Sequence, residues 1–194
     1  VYTKTDGLPG TVFKSVIRAK GGDVWVTVPP EGAARFKDNH WTSFLCGREL
    51  SDVFPRAVYE DQKGRIWVTT EGGGLNRFKD GHWRTFTTSD GLTSNFICGM
   101  TEDDAGNFWI AFPAGIMRIP PEQFDQLEKG KIARLQPCVI NRFDGLPVAE
   151  TNQKGSPSVF HTRDGRLLFG TDSGVAVIDA PHLRESQTVL PTYI

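Results

Sequence analysis

The chain has 194 residues and carries 22 Lys and Arg against 23 Asp and Glu, a formal net charge of -1. That balance gives no electrostatic footprint for nucleic acid or for an anionic membrane, so neither is expected as a direct partner. With 21 Gly and 12 Pro the composition favours a turn-rich β protein over a helical bundle, and no apolar run reaches the ~20 residues that span a bilayer.

From the start of the chain, VYTKTDGLPG shows no basic stretch followed by an apolar one, hence no visible secretion signal. Tyr2 stands four residues before Asp6 of an Asp-Gly-Leu turn, as Phe86 stands four before Asp90, which marks Tyr2 as the tail of a strand from a preceding unit. The segment GGDVWVT at 21–27 returns as KGRIWVT at 63–69 and AGNFWIA at 105–111, so Trp25, Trp67 and Trp109 stand 42 residues apart. ARFKDNHWTSF at 34–44 returns as NRFKDGHWRTF at 76–86, and Asp-Gly-Leu recurs at 6–8, 90–92 and 144–146. A period of this length is one supersecondary unit repeated.

Within the second unit the pattern predicts strands at 57–60, 65–70, 75–79 and 82–86. A tight turn at 61–64, a Gly-rich loop at 71–74 and an Asp-Gly hairpin turn at 80–81 separate them. Four short antiparallel strands in such a period predict a β-propeller blade. The fold class is therefore all-β. One domain, 1–194, is expected to hold about four four-stranded blades at approximately 3–44, 45–86, 87–137 and 138–194. The fourth copy, DGRLLFGTDSG at 164–174, puts Leu168 where the others have tryptophan, and residues 120–137 replace the short hairpin of the third copy with room for a helical turn. After 175–178 no clear fourth strand follows. An arc of four blades leaves unpaired edges, so the reading expects an incomplete ring of seven blades or more, completed by missing blades of a parent protein or by self-association.

Cys46, Cys98 and Cys138 are odd in number and lack metal-ligand spacing, so no disulfide framework or metal site is expected. Cys98 alternates with Phe96 and Met100 and reads as a buried, inert thiol.

These residues resemble the two-component regulator propeller repeat, which runs from DGL-x-S-N through a strand ending in Glu-Asp to G-x-x-W, then G-L-x-R-F. One copy supplies Asp90, Gly91, Leu92, Ser94, Asn95, Glu102, Asp103, Gly106 and Trp109; another supplies Glu60, Asp61, Gly64, Trp67, Gly74, Leu75, Arg77 and Phe78. The first copy departs from it, with Lys20-Gly21-Gly22 where Glu-Asp-x-x-Gly is usual. The resemblance implies the C-terminal blades of an extracytoplasmic, periplasmic sensor of a membrane histidine kinase, hybrid kinase or diguanylate cyclase. It implies membrane attachment only through the parent, and a small-molecule or carbohydrate-related ligand.

Strand alternation puts the Asp-Gly-Leu connections and the loops between second and third strands on one face. There Glu71, Ser94, Asn95, Thr151, Asn152 and Asp172 are the candidate ligand-binding residues. The tryptophans, set mid-strand, read as packing between blades, and Arg35, Arg77 and Arg118 as ion-pair partners of neighbouring-blade carboxylates. No catalytic residue, metal or cofactor is expected. The histidines have no adjacent nucleophile in a known arrangement, and EGGGLN lacks the lysine of a phosphate loop. A protein-interaction scaffold and, behind it, a glycan-active propeller enzyme are the competing readings.

Overall fold

Each 42-residue period becomes one antiparallel sheet because its apolar residues alternate and its turns carry residues that accept positive φ, Gly64 at 75° and Gly81 at 83° among them. The structure, a computed structural model, describes residues 1–51, 54–144, 146 and 158–182. The first blade comprises β1 (Ser15–Arg18), β2 (Val24–Val28), β3 (Gly32–Lys37) and β4 (His40–Leu45). The second holds β5 (Pro55–Glu60), β6 (Ile66–Thr70), β7 (Leu75–Lys79) and β8 (His82–Phe86). The third holds β9 (Gly99–Glu102), β10 (Phe108–Phe112), β11 (Gly115–Ile119) and β12 (Cys138–Ile140), with the helix α1 (Pro121–Glu128) between its last two strands. The fourth holds β13 (Val159–His161), β14 (Arg166–Thr171) and β15 (Gly174–Asp179).

In every sheet each strand pairs with the next in sequence, and the innermost strands β1, β5, β9 and β13 stand side by side. The architecture is the expected all-β propeller arc, with two adjustments. Pairing of β12 with β11 carries the third sheet to Ile140, past the expected boundary at 137. The fourth sheet has three strands among the described residues, not four.

In the first three blades the glycine at or just before the start of the third strand has a steric reason. A Cβ on Gly32, Gly74 or Gly115 would lie 2.0, 2.1 or 2.4 Å from a carbonyl oxygen of the fourth strand or its end. Gly174 has a φ of 150°, and a Cβ there would meet nothing among the described residues.

The core lies in the seams between blades. Trp25, Trp67 and Trp109 are all buried there, as their mid-strand spacing predicts. Across the sheet each pairs with an arginine, Trp25 with Arg35, Trp67 with Arg77 and Trp109 with Arg118; in the fourth blade the same pair is Leu168 and Val177. Between blades 1 and 2 the aromatic rings of Trp25, Phe44, Phe78 and Trp83 pack together. Between blades 2 and 3 the hairpin is gone and α1 takes over its task. Phe124 is fully buried against Trp67, Phe86 and Phe108, with ring centroids 4.9, 5.0 and 5.2 Å away. The insertion thus restores the seam from a different backbone.

Candidate binding faces of the propeller

The Glu-Asp pairs closing the inner strands β5 and β9 fasten each blade to the one before it. Glu102 Oε2 accepts the Gln62 peptide N–H of the preceding blade at 2.6 Å, and Glu60 Oε2 accepts that of Lys20 at 2.7 Å. The neighbouring aspartates hold their own blades. Asp61 accepts the Trp67 indole N–H and the Arg65 peptide N–H, and Asp103 accepts those of Trp109 and Asn107, all at 2.8 Å. A buried donor without such an acceptor costs about 1–3 kcal/mol, which is why the motif recurs. The arginines answer in part to expectation. Arg77 reaches Glu128 on the insertion helix of the next repeat, and Arg118 lies over the Trp109 ring. Arg35 instead pairs with Asp23 of its own blade, Nε to Oδ2 at 2.8 Å, because Asp23 stands in the adjacent turn.

On the face carrying the Asp-Gly-Leu turns, three of the expected residues meet. Glu71 bridges to Phe96 through the backbone and takes an ion pair from the buried Arg56, whose guanidinium sits 5.8 Å from the Phe96 ring centroid. The Asn95 carbonyl accepts from Gly72 N and Gly74 N, and its side-chain Oδ1 accepts from Thr88 N at 2.7 Å. Ser94 Oγ accepts the Phe96 N–H at 3.0 Å. Much of the polar capacity of this trio therefore sets the loop, leaving it half-buried at the rim. Asp172 is exposed on the β14–β15 loop of another blade; Thr151 and Asn152 lie outside the described residues.

The feature that sequence reasoning missed lies inward of that rim. A cavity of about 630 Å³ is lined by the inner strands of all four blades, with Phe13, Ser15, Val58, Tyr59, Met100 and Val159 among its walls. It reaches the segments that lead into β1 and β13, the side from which the Asp-Gly-Leu connections enter. Its walls are mainly apolar, and its size falls within the range of roughly 300–1,000 Å³ in which small-molecule pockets occur. The signal was available in outline. The apolar residues ahead of each Glu-Asp pair had to face either a neighbouring blade or the axis, and alternation sends some to each.

Two interior groups are shifted from their ordinary protonation. Burial raises the Glu102 carboxyl, and the Asp61 charge adds to the rise, against the lowering effect of the Gln62 N–H. Burial likewise pushes the Tyr59 hydroxyl well up, with the Glu102 charge adding to it. Tyr59 Oη donates to Glu102 Oε2 at 3.3 Å and accepts from Glu102 N at 3.1 Å. Both groups thus belong to the blade 2–blade 3 fastener. Among the described residues none of the three cysteines forms a disulfide, and Cys98 is buried as expected. Among the described residues no cluster of three or more His, Cys, Asp and Glu is placed to hold a metal ion, and no helix is long and apolar enough to cross a membrane.

Comparison with known proteins agrees with this architecture. Residues 49–72 match the family model of the two component regulator propeller. No curated protein matches the chain in sequence. Among solved structures, it is similar to the extracellular domain described as that of hybrid two component system BT3049 from B. thetaiotaomicron, with 19% identity over 90% of this chain and a TM-score of 0.69. The corresponding domain of BT4673 from the same organism gives 20% identity over 87% and a TM-score of 0.70. Virginiamycin B lyase from Staphylococcus aureus gives 18% over 88% of this chain and 56% of its own length, with a TM-score of 0.59. At such identities the likeness is one of fold, and the chain spans only 22% and 24% of the two extracellular domains. The four successive blades make this chain a β-propeller segment, and its residues 49–72 match the two component regulator propeller repeat.

Proposed function

We propose that this chain is the ligand-sensing segment of an extracytoplasmic two-component sensor. The observation that carries the reading is a half-open cavity of small-molecule size lined by the inner strands of a propeller whose residues 49–72 match the two component regulator propeller repeat. A ligand with an apolar face and a few polar groups, such as a sugar ring or an aromatic acid, fits walls where valine, methionine and phenylalanine dominate and Ser15 and Lys14 sit at the edge. Glu71, Ser94, Asn95 and Asp172 serve as rim contacts, with Thr151 and Asn152 carried over from the same sequence face. Binding shifts output by differential affinity for two arrangements of the parent protein. The role is binding, not catalysis. Supporting this, the two interior groups with raised protonation, Glu102 and Tyr59, are both engaged in joining blades.

The test is a thermal-shift screen of the chain and its longer parent ectodomain against glycan fragments, sugar acids and aromatic amino acids. A reproducible rise with one chemical class is expected, since a native-state ligand stabilises by mass action, and Met100→Trp, which fills the cavity, should abolish it. Turnover of any of these compounds, or no rise with a folded ectodomain, overturns the reading.

A further inference from the structure

In blades 2 and 3 a single aspartate carboxylate draws together two donors of its own blade. Asp61 accepts the Trp67 indole N–H and the Arg65 peptide N–H, and Asp103 does the same for Trp109 and Asn107. Blade 1 has Ala19 at this position, 42 residues before Asp61.

The turn around Ala19 nevertheless keeps its shape. Ala19 N donates to Asp23 O and Gly22 N to Ala19 O, both at 2.8 Å, as Asp61 N does to Arg65 O and Gly64 N to Asp61 O, both at 3.0 Å. Trp25 stands across the sheet from Arg35 as Trp67 does from Arg77. The two donors, Trp25 Nε1 and Asp23 N, are therefore set as in the other blades. Neither has an acceptor among the described residues.

Trp25 is 2% exposed, yet its N–H is not sealed in as those of Trp41 and Trp83 are. It opens on a second cavity, of about 610 Å³, in the seam between blades 1 and 2. Ala19, Asp23 and Trp25 line one side of it, and Ile66 and Phe78 the other. The turns of Gly21 and Gly64 border it, so it lies on the face opposite the Asp-Gly-Leu connections. Charge around it is matched. Arg35 holds Asp23, and Lys63 and Arg65 hold Asp125, which leaves Lys20 and Lys79 with Glu60 and Asp80 on the walls. Preference for an anion rests on the two converging donors and not on net charge.

We propose that this cavity binds the carboxylate of a small organic acid. The carboxylate takes the position that the Asp61 and Asp103 carboxylates fill in their own blades, and accepts from Trp25 Nε1 and Asp23 N. Ile66 and Phe78 receive the apolar remainder of the acid, in a volume that suits a small molecule. The site is separate from the axial cavity and independent of the sensing role.

The test adds para-fluorobenzoate to the 194-residue chain at constant ionic strength. In a proton–nitrogen correlation spectrum the chain gives five indole signals, and the one absent from Trp25→Phe should move and saturate. The fluorine line of the probe reports affinity in every variant. Trp25→Phe should weaken binding about tenfold or more, as loss of a hydrogen bond to a charged group does. Ala19→Asp supplies the carboxylate from the chain itself and should abolish binding. Asp61 and Asp103 sit in the same kind of turn, so this variant is expected to fold; were it not to, Trp25→Phe still decides. Neutral para-fluorobenzamide should bind far more weakly, and Met100→Trp, in the axial cavity, should leave the site intact. An unmoved Trp25 signal overturns the proposal. So does binding that survives Ala19→Asp or Trp25→Phe undiminished, is matched by the amide, or is lost in Met100→Trp.

Discussion

Blades 2 and 4 start from the same repeat and differ in how their middle strands are anchored. In blade 2 the Trp67 indole is fully buried, its N–H bound by Asp61 and its cross-strand partner Arg77 held by Glu128. In blade 4 the corresponding positions hold Leu168, Thr162 and Val177. The fastener changes in step. Where Glu102 grips the Gln62 peptide of the preceding blade, His161 takes the glutamate position, and its Nε2 lies 3.5 Å from Asp104 Oδ1. The aspartate has two tasks, the indole N–H and the peptide N–H four residues on. Blade 4 has lost the indole but keeps the second task, with Thr162 Oγ1 accepting the Arg166 N–H at 3.0 Å. Blade 1 keeps a buried Trp25 with Ala19 at the aspartate position, so the two residues vary separately.

The sharpest way to break the comparison is at the tryptophan position itself. Trp67→Ala removes a side chain packed on Phe86, Phe108 and Phe124, and with it the indole hydrogen bond to Asp61 Oδ2, which keeps Arg65 Nε. It is expected to cost about 3–5 kcal/mol, the range for large aromatic truncations in a core. Leu168→Ala, at the same repeat position but on a partly open face, should cost no more than about 1 kcal/mol. Urea unfolding followed at the same protein concentration measures both. Equal costs would mean that the blade 4 face is buried in solution.

A smaller effect separates the fasteners. The folded chain holds the Glu102 proton to higher pH than the unfolded chain does, because burial raises its carboxyl above the ordinary 4.5. Stability contributed by this group is therefore greatest at acid pH and declines as pH rises through the raised value, then levels off. Glu102→Gln should remove that decline while keeping an acceptor for the Gln62 N–H, with a net change at neutral pH of about 1 kcal/mol or less. Urea midpoints from about pH 4 to about pH 8 report the slope. A slope unchanged in the variant would assign the decline to another group.

Much of the fold was legible because propeller blades are local. Strands β7 and β8 run over Leu75–Lys79 and His82–Phe86, the limits that alternation and an Asp-Gly turn prescribe. The helix was only half legible: residues 120–137 stood out as an insertion, but that Phe124 would replace Phe78 and Trp83 in the next seam depends on a meeting across blades. The candidate site was legible as a face and not as a set of contacts. Glu71, Ser94 and Asn95 do come together, yet their hydrogen bonds serve the loop, a matter of partners that spacing does not reveal. The cavity walls were legible only in outline for a related reason, since the inward valines and methionine look like any other strand residues until the axis is known.

The smallest expected effect concerns what holds the insertion in place. Asp125 on α1 accepts from Lys63 Nζ and Arg65 Nη1, both at 3.0 Å. Burial pushes its carboxyl up, but the hydrogen bond from Lys63 and the charges of Arg65 and Lys63 outweigh burial and hold it below the ordinary 3.8. The ion pairs thus contribute stability above that value, which is lost as pH falls through the lowered one. Both Asp125 and Lys63 remain in contact with solvent, so Asp125→Asn should cost less than about 1 kcal/mol, and added salt should shrink the difference. Phe124, fully buried among three rings, is the anchor, so hydrogen exchange across α1 should be nearly unchanged in the variant. If Asp125→Asn instead released the helix to fast exchange, charge would be holding the insertion to blade 2. The equivalence between this helix and the aromatic hairpin of the preceding seam would then fail.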